Sequence, residues 1–127
     1  RASINKSHDM SLPEEERIRA MKHAFFAPGN DPRVWLGDWH EDVMHAEREA
    51  TEATPREEWW HAGKAPVLDV QPEKDMMTPP ETRNRYRDEF GADRVTMTVI
   101  PNAGHALLPE QPEAVADAIL TYLERLG

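Results

Sequence analysis

Two residues in this sequence have the type and spacing for proton-transfer chemistry, Asp75 and His105. Asp75 stands five residues beyond a short apolar run at 66–70, and His105 stands five residues beyond the β-branched run at 95–100. A carboxylate beside an imidazole accepts the Nδ1 proton, fixes the tautomer and stabilises the imidazolium that forms during reaction. Nε2 is then free to take a proton from a nucleophile or from water. Gly104, just before His105, lets the loop turn without a side-chain clash. Taken singly, each residue has an ordinary explanation. Asp is common as a loop or helix cap, and a lone His is more often a surface or capping residue. Their matched positions after two strands outweigh those separate explanations.

The elements that must position this pair follow from local pattern. The chain divides near Lys64. Residues 65–127 read as strand, helix, strand, helix. Pro66-Val67-Leu68-Asp69-Val70 is a short buried-strand pattern, and Val95-Thr96-Met97-Thr98-Val99-Ile100 is a second strand ended by Pro101. Between them, Pro79 and Pro80 start a helix that carries Tyr86 and Phe90 and closes at Gly91. The last helix runs from about Glu110 to Leu126, with Val115, Ile119, Tyr122, Leu123 and Leu126 on one apolar face. A strand–helix–strand crossover of this length makes the strands parallel. Parallel neighbours lie about 4.8 Å apart and end at the same sheet edge, so Asp75 and His105 are expected within hydrogen-bond reach at the edge where open α/β sheets bind ligands.

Residues 1–64 read as helices and loops without a strand. Ser11 with Glu14, and Pro13 in the first turn, predict a helix over 13–27 with Ile18, Met21 and Phe25 at helical spacing, stopped by Ala27-Pro28-Gly29. Asp38 with Glu41 predicts a second, charged helix carrying Trp39, Val43, Met44 and Ala50. Thr54-Pro55-Arg56-Glu57 predicts a third, short one bearing Trp59 and Trp60. All four tryptophans, Trp35, Trp39, Trp59 and Trp60, fall in this half. Core packing is the commoner use of Trp; the functional alternative is the wall of an apolar pocket.

Composition bounds the partners. The 127 residues suffice for one domain with one core. The chain is polar, with 31% charged and 39% hydrophobic residues and a mean hydropathy of -0.77, so part of its apolar surface is expected to need a partner. A net charge of -9 argues against nucleic acid and anionic membranes, which select basic patches. The absence of cysteine removes disulfides, thiol catalysis and Cys-based zinc sites. No apolar run reaches membrane-span length, and no apolar stretch follows the N-terminal residues as in a signal peptide; a cytoplasmic location is expected. His40 and His45 superficially resemble a zinc-binding helix motif, but a spacing of five turns them about 140° apart on a helix. No metal and no cofactor is expected.

Two segments resemble the α/β-hydrolase family. Residues 65–80, Ala-Pro-Val-Leu-Asp-Val-Gln-Pro-Glu-Lys-Asp-Met-Met-Thr-Pro-Pro, look like its penultimate strand and acid loop, with Pro79 at the expected place and Pro72 where the family usually has Gly. Residues 100–113, Ile-Pro-Asn-Ala-Gly-His-Ala-Leu-Leu-Pro-Glu-Gln-Pro-Glu, look like its last strand, histidine loop and final helix start. The resemblance implies an α/β fold, the C-terminal portion of an α/β-hydrolase. Residues 1–64 would form its helical cap and 65–127 the C-terminal βαβα part of its core, with Asp75 and His105 as the acid and base of a triad.

The nucleophile elbow of the family, Gly-x-Ser-x-Gly on a strand-to-helix turn, is missing. No two of the six glycines stand four apart, and Ser3, Ser7 and Ser11 have no strand before them. The family's order places the nucleophile upstream of Arg1. The expectation is therefore an N-terminal half outside this chain, either cleaved to a separate chain or lost, that carries both nucleophile and oxyanion hole. The implied reaction is hydrolysis of a small, apolar substrate by an esterase- or lactonase-like serine hydrolase, with Trp35, Trp39, Trp59, Trp60, Met76 and Met77 near the substrate. An Asp nucleophile would instead give a haloalkane dehalogenase; an epoxide hydrolase is disfavoured because Tyr86 and Tyr122, the only tyrosines, lie outside the cap. The rival from another class is a non-catalytic α/β binding module.

Overall fold

The computed structural model describes residues 2–37 and 39–127. Helix α1 (Ala2–His8) packs against α2 (Glu14–Ala24), with an ion pair of 2.6 Å between Lys6 and Glu16. A 3₁₀ turn (Pro32–Trp35) leads to α3 (Glu41–Ala53) and α4 (Arg56–Trp59). Strand β1 (Val67–Pro72) follows, then a 3₁₀ turn (Pro80–Thr82), α5 (Arg85–Phe90) and strand β2 (Val95–Ile100). The chain ends with α6 (Leu107–Glu110) and α7 (Pro112–Leu126).

The two strands pair in parallel, in register from Val67 opposite Val95 to Pro72 opposite Ile100. The β-branched side chains that fill β2 suit a pleated, half-buried surface. Val95 and Ile100 are buried, and Ile100 packs with Ala103 and Val115 beneath α7. A second core cluster joins the other half of the chain to the histidine loop: Met21, Ala24, Phe25 and Phe26 surround Ala106, with Ile4, Trp35, Leu36 and Trp39 at its edge.

Several helix boundaries differ from the sequence expectation, each for a local reason. Helix α1 has no cap or breaker pattern to announce it. The predicted box of Ser11 with Glu14 does not form. The Ser11 amide and hydroxyl both donate to Asp9 Oδ1, a nearer acceptor, and these bonds hold the Asp9 carboxyl below its ordinary value. Helix α2 opens behind Pro13 and stops at Ala24, ahead of Gly29 with its φ of +98°. The start signal at Asp38 lies outside the described residues. Thr54 ends α3 through its backbone N–H, and α4 begins after Pro55 with no side-chain cap.

The helix expected from Pro79 is a 3₁₀ turn followed by the separate α5, which Gly91 closes at a φ of +90°. The last helix is broken at Gln111, because Pro112 offers no N–H and pushes the residue before it out of helical geometry. Of the apolar face foreseen on that helix, only Val115 is fully buried; Ile119, Leu123 and Leu126 are exposed, as is Leu120. The strands meet the side of α7 that carries Ala114, Val115 and Ala118, so Ile119, Leu123 and Leu126, turned to one side of that contact, stay in solvent. Among the described residues, no helix is long and apolar enough to cross a membrane.

Candidate active site

The loops after β1 and β2 are laced together by four hydrogen bonds. The Glu73 amide donates to the Ile100 carbonyl (2.9 Å) and the Lys74 amide to the Ala103 carbonyl (2.8 Å). In return, the Asn102 amide donates to Glu73 Oε2 (2.9 Å) and Lys74 Nζ donates to Asn102 Oδ1 (2.9 Å). Asn102 makes the turn at a φ of +55°, a left-handed conformation that Asn tolerates better than most residues.

This lacing brings Asp75 Oδ2 to 3.0 Å from His105 Nδ1. Asp75 is 6% exposed, and its second oxygen, Oδ1, accepts the Met77 amide at 2.7 Å. Both carboxylate oxygens are therefore engaged. An ionised carboxylate only accepts, so Nδ1 is the donor and the lone pair of the neutral ring sits on Nε2. Nε2 has no protein partner among the described residues, and the His105 side chain is 41% exposed. A buried acid holding an accessible base is the arrangement a proton-transfer pair needs.

Beside His105 lies an apolar pocket of about 520 Å³, lined by Phe25, Val34, Trp35, Gly37, Trp39, His40 and His105. Its aromatic walls are braced against one another. Trp35 meets Trp39 edge to face at 6.1 Å, and Phe25 meets Trp35 at 5.5 Å and the His105 ring at 5.9 Å. The Trp39 indole N–H donates to the Trp35 carbonyl at 3.0 Å. Trp35 and Trp39 thus share one pocket with His105.

The other residues singled out from the sequence lie elsewhere. Trp60 packs on Tyr86 at 5.1 Å, beneath the guanidinium of Arg56 and beside Trp59, and its indole N–H donates to Glu89 at 2.8 Å. Neither Trp59 nor Trp60 lines the His105 pocket. Met76 and Met77 are exposed and border a separate groove with Ile4, His23 and Ala24. His40 is at the pocket, whereas His45 lies on α3. Among the described residues, no group of three His, Asp or Glu is placed to hold a metal ion.

Several residues of the site have roles that the sequence does not announce. Phe25 was expected only as a helix-packing residue, and nothing in its neighbourhood signals a ring contact with a residue eighty positions away. Gly104 serves a different purpose from the turn expected of it. A Cβ there would lie 2.6 Å from the Phe25 carbonyl oxygen and 2.7 Å from the Ala27 nitrogen, so glycine is needed for two backbones to touch. Glu110, taken as the start of the last helix, receives N–H donors from both of those backbones.

The model of an α/β-hydrolase family described as TAP-like protein matches residues 33–126. Among curated proteins, none matches the chain.

Proposed function

The chain belongs to this TAP-like family of α/β-hydrolases, and from that premise we propose that it supplies the acid and base of a hydrolytic triad, Asp75 and His105, to a nucleophile carried outside these 127 residues. The observation that carries the reading is the 3.0 Å contact between a buried carboxylate and the Nδ1 of an exposed imidazole. Within the chain, Ser7 is buried with its hydroxyl on the Ile4 carbonyl, and Ser11 is held by Asp9; neither is poised to attack. The nucleophile and the oxyanion donors come from the missing strand-to-helix elbow. Residues 1–64 act as the lid over the site.

In the first half-reaction, His105 Nε2 takes the proton of the nucleophile hydroxyl as its oxygen bonds to the acyl carbon. Asp75 stabilises the imidazolium, which then gives that proton to the departing alkoxide. In the second half, water gives a proton to Nε2 and its oxygen attacks the acyl-enzyme. The proton then returns to the nucleophile as the acid is released. The aromatic and aliphatic lining beside the His40 and His105 imidazoles suits a neutral, apolar acyl group, and a carboxylic ester of such an acid is the substrate class we propose.

Dehalogenation is disfavoured by a particular contact. A pair of indole N–H donors would hold a halide, yet within the pocket Trp39 gives its N–H to the Trp35 carbonyl, which leaves only the Trp35 indole among the described tryptophans there. The ester reading is tested with p-nitrophenyl acetate, butyrate and hexanoate. Each buried methylene contributes about 0.8 kcal/mol, so kcat/KM is expected to rise up to about fourfold per added methylene until the pocket is filled. A series that is flat or falls with chain length would count against the pocket as the acyl site.

A further inference from the structure

We propose that Glu110 is a positioning residue that sets both the direction of His105 and the aromatic wall opposite it. Its carboxylate takes three N–H donors. Oε1 accepts the Ala27 amide (2.6 Å) and Asn30 Nδ2 (2.6 Å), and Oε2 accepts the Gly104 amide (2.6 Å). Hydrogen bonds to a charged acceptor are about twice as strong as neutral ones. On the other side of His105, the Ala106 amide donates to the Phe25 carbonyl at 2.9 Å. The base is therefore held through the amides on both sides of it. These contacts close a ring: Glu110 holds Gly104, the chain passes through His105 to Ala106, Ala106 holds Phe25, and Ala27 returns to Glu110. The Phe25 side chain, fixed by the same ring, packs on the imidazole and lines the pocket.

Two further features show that the clamp is built for close approach. Gly104 leaves no room for a Cβ against the Phe25 and Ala27 backbones, so the carboxylate can reach both segments at once. Asn30 Nδ2 also donates to the Asn102 carbonyl at 2.9 Å, which braces the start of the histidine loop. A neutral amide cannot replace Glu110. It has one acceptor oxygen, and its NH₂ would face an N–H donor. With glutamine, the oxygen stays with its two donors at Ala27 and Asn30, and the Gly104 amide is left unpaired.

This role rests on His105 being the base, and the test separates the two. In the complete enzyme, the Nδ1 proton shared with Asp75 is followed by NMR, which reads the pair whether or not substrate turns over. Glu110→Gln is expected to speed exchange of that proton about tenfold or more. It should also lower kcat by about 100-fold, the scale of a 1 Å misplacement, with KM for the acetate ester within about twofold. A merely structural role would lower the unfolding midpoint and leave the exchange rate unchanged. Asn30→Ala removes one arm of the clamp together with the brace on the Asn102 carbonyl, leaves both backbone donors in place, and should speed exchange several-fold. Wild-type exchange in a folded Glu110→Gln protein would overturn the proposal. If that variant yields no folded protein, wild-type exchange in Asn30→Ala would overturn it instead. Faster exchange in a protein that hydrolyses nothing would keep the clamp and remove the hydrolase reading.

Discussion

His105→Ala in the complete enzyme is expected to reduce kcat/KM by about 10⁴-fold or more, with the fold retained. The loss is large because one imidazole serves both half-reactions, as base for the nucleophile and as acid for the leaving group. Among the described residues the ring makes one hydrogen bond, to Asp75, and it is 41% exposed, so its removal creates no buried cavity. What remains is a buried carboxylate that has lost one of two partners, a cost of about 1 to 3 kcal/mol. Steady-state kinetics together with a urea unfolding curve separate the two effects. Turnover within tenfold of wild type in a folded variant would remove His105 from the mechanism.

Asp75→Asn is the second large effect, about 10³- to 10⁴-fold in kcat, and it follows from hydrogen-bond direction. The Asn carbonyl oxygen can keep the Met77 amide that Asp75 Oδ1 now accepts at 2.7 Å. Its NH₂ then points at His105 Nδ1 and requires that nitrogen to accept. The proton moves to Nε2, where the base needs its lone pair, so the ring has the wrong tautomer in an unchanged position. Ring ¹⁵N shifts report the tautomer directly. A variant with Nε2 protonated and near-native kcat would show that the pair is structural. The same kinetics also distinguish an enzyme from a binding module, which would keep its affinity for a partner in both variants.

The part of this site that was legible in the sequence is the part encoded locally. The β-branched run of β2, the apolar run of β1 and the helix between them fix two parallel strands, and residues just past both ends meet because the strands end at one edge. What was not legible depends on contacts between distant segments. Phe25 and Gly104 come together through a backbone approach that has no periodic signature. The carboxylate of Glu110 looks like a helix-start residue, yet its acceptors are used 83 positions away at Ala27. Among the tryptophans, Trp35 and Trp39 pack together at the pocket, while Trp60 packs on Tyr86 and Trp59 on Trp60, a split that depends on where Tyr86 lies. The predicted caps at Ser11 and Thr54 lost to nearer backbone and carboxylate partners.

The most direct measurement is the site and rate of fluorophosphonate labelling in the complete enzyme, read by intact mass and peptide mapping, with wild type and His105→Ala side by side. A single adduct is expected on a residue outside these 127, formed quickly in wild type and at least about 100-fold more slowly without the imidazole. An adduct on Ser3, Ser7 or Ser11, or equal rates in the two proteins, would contradict it.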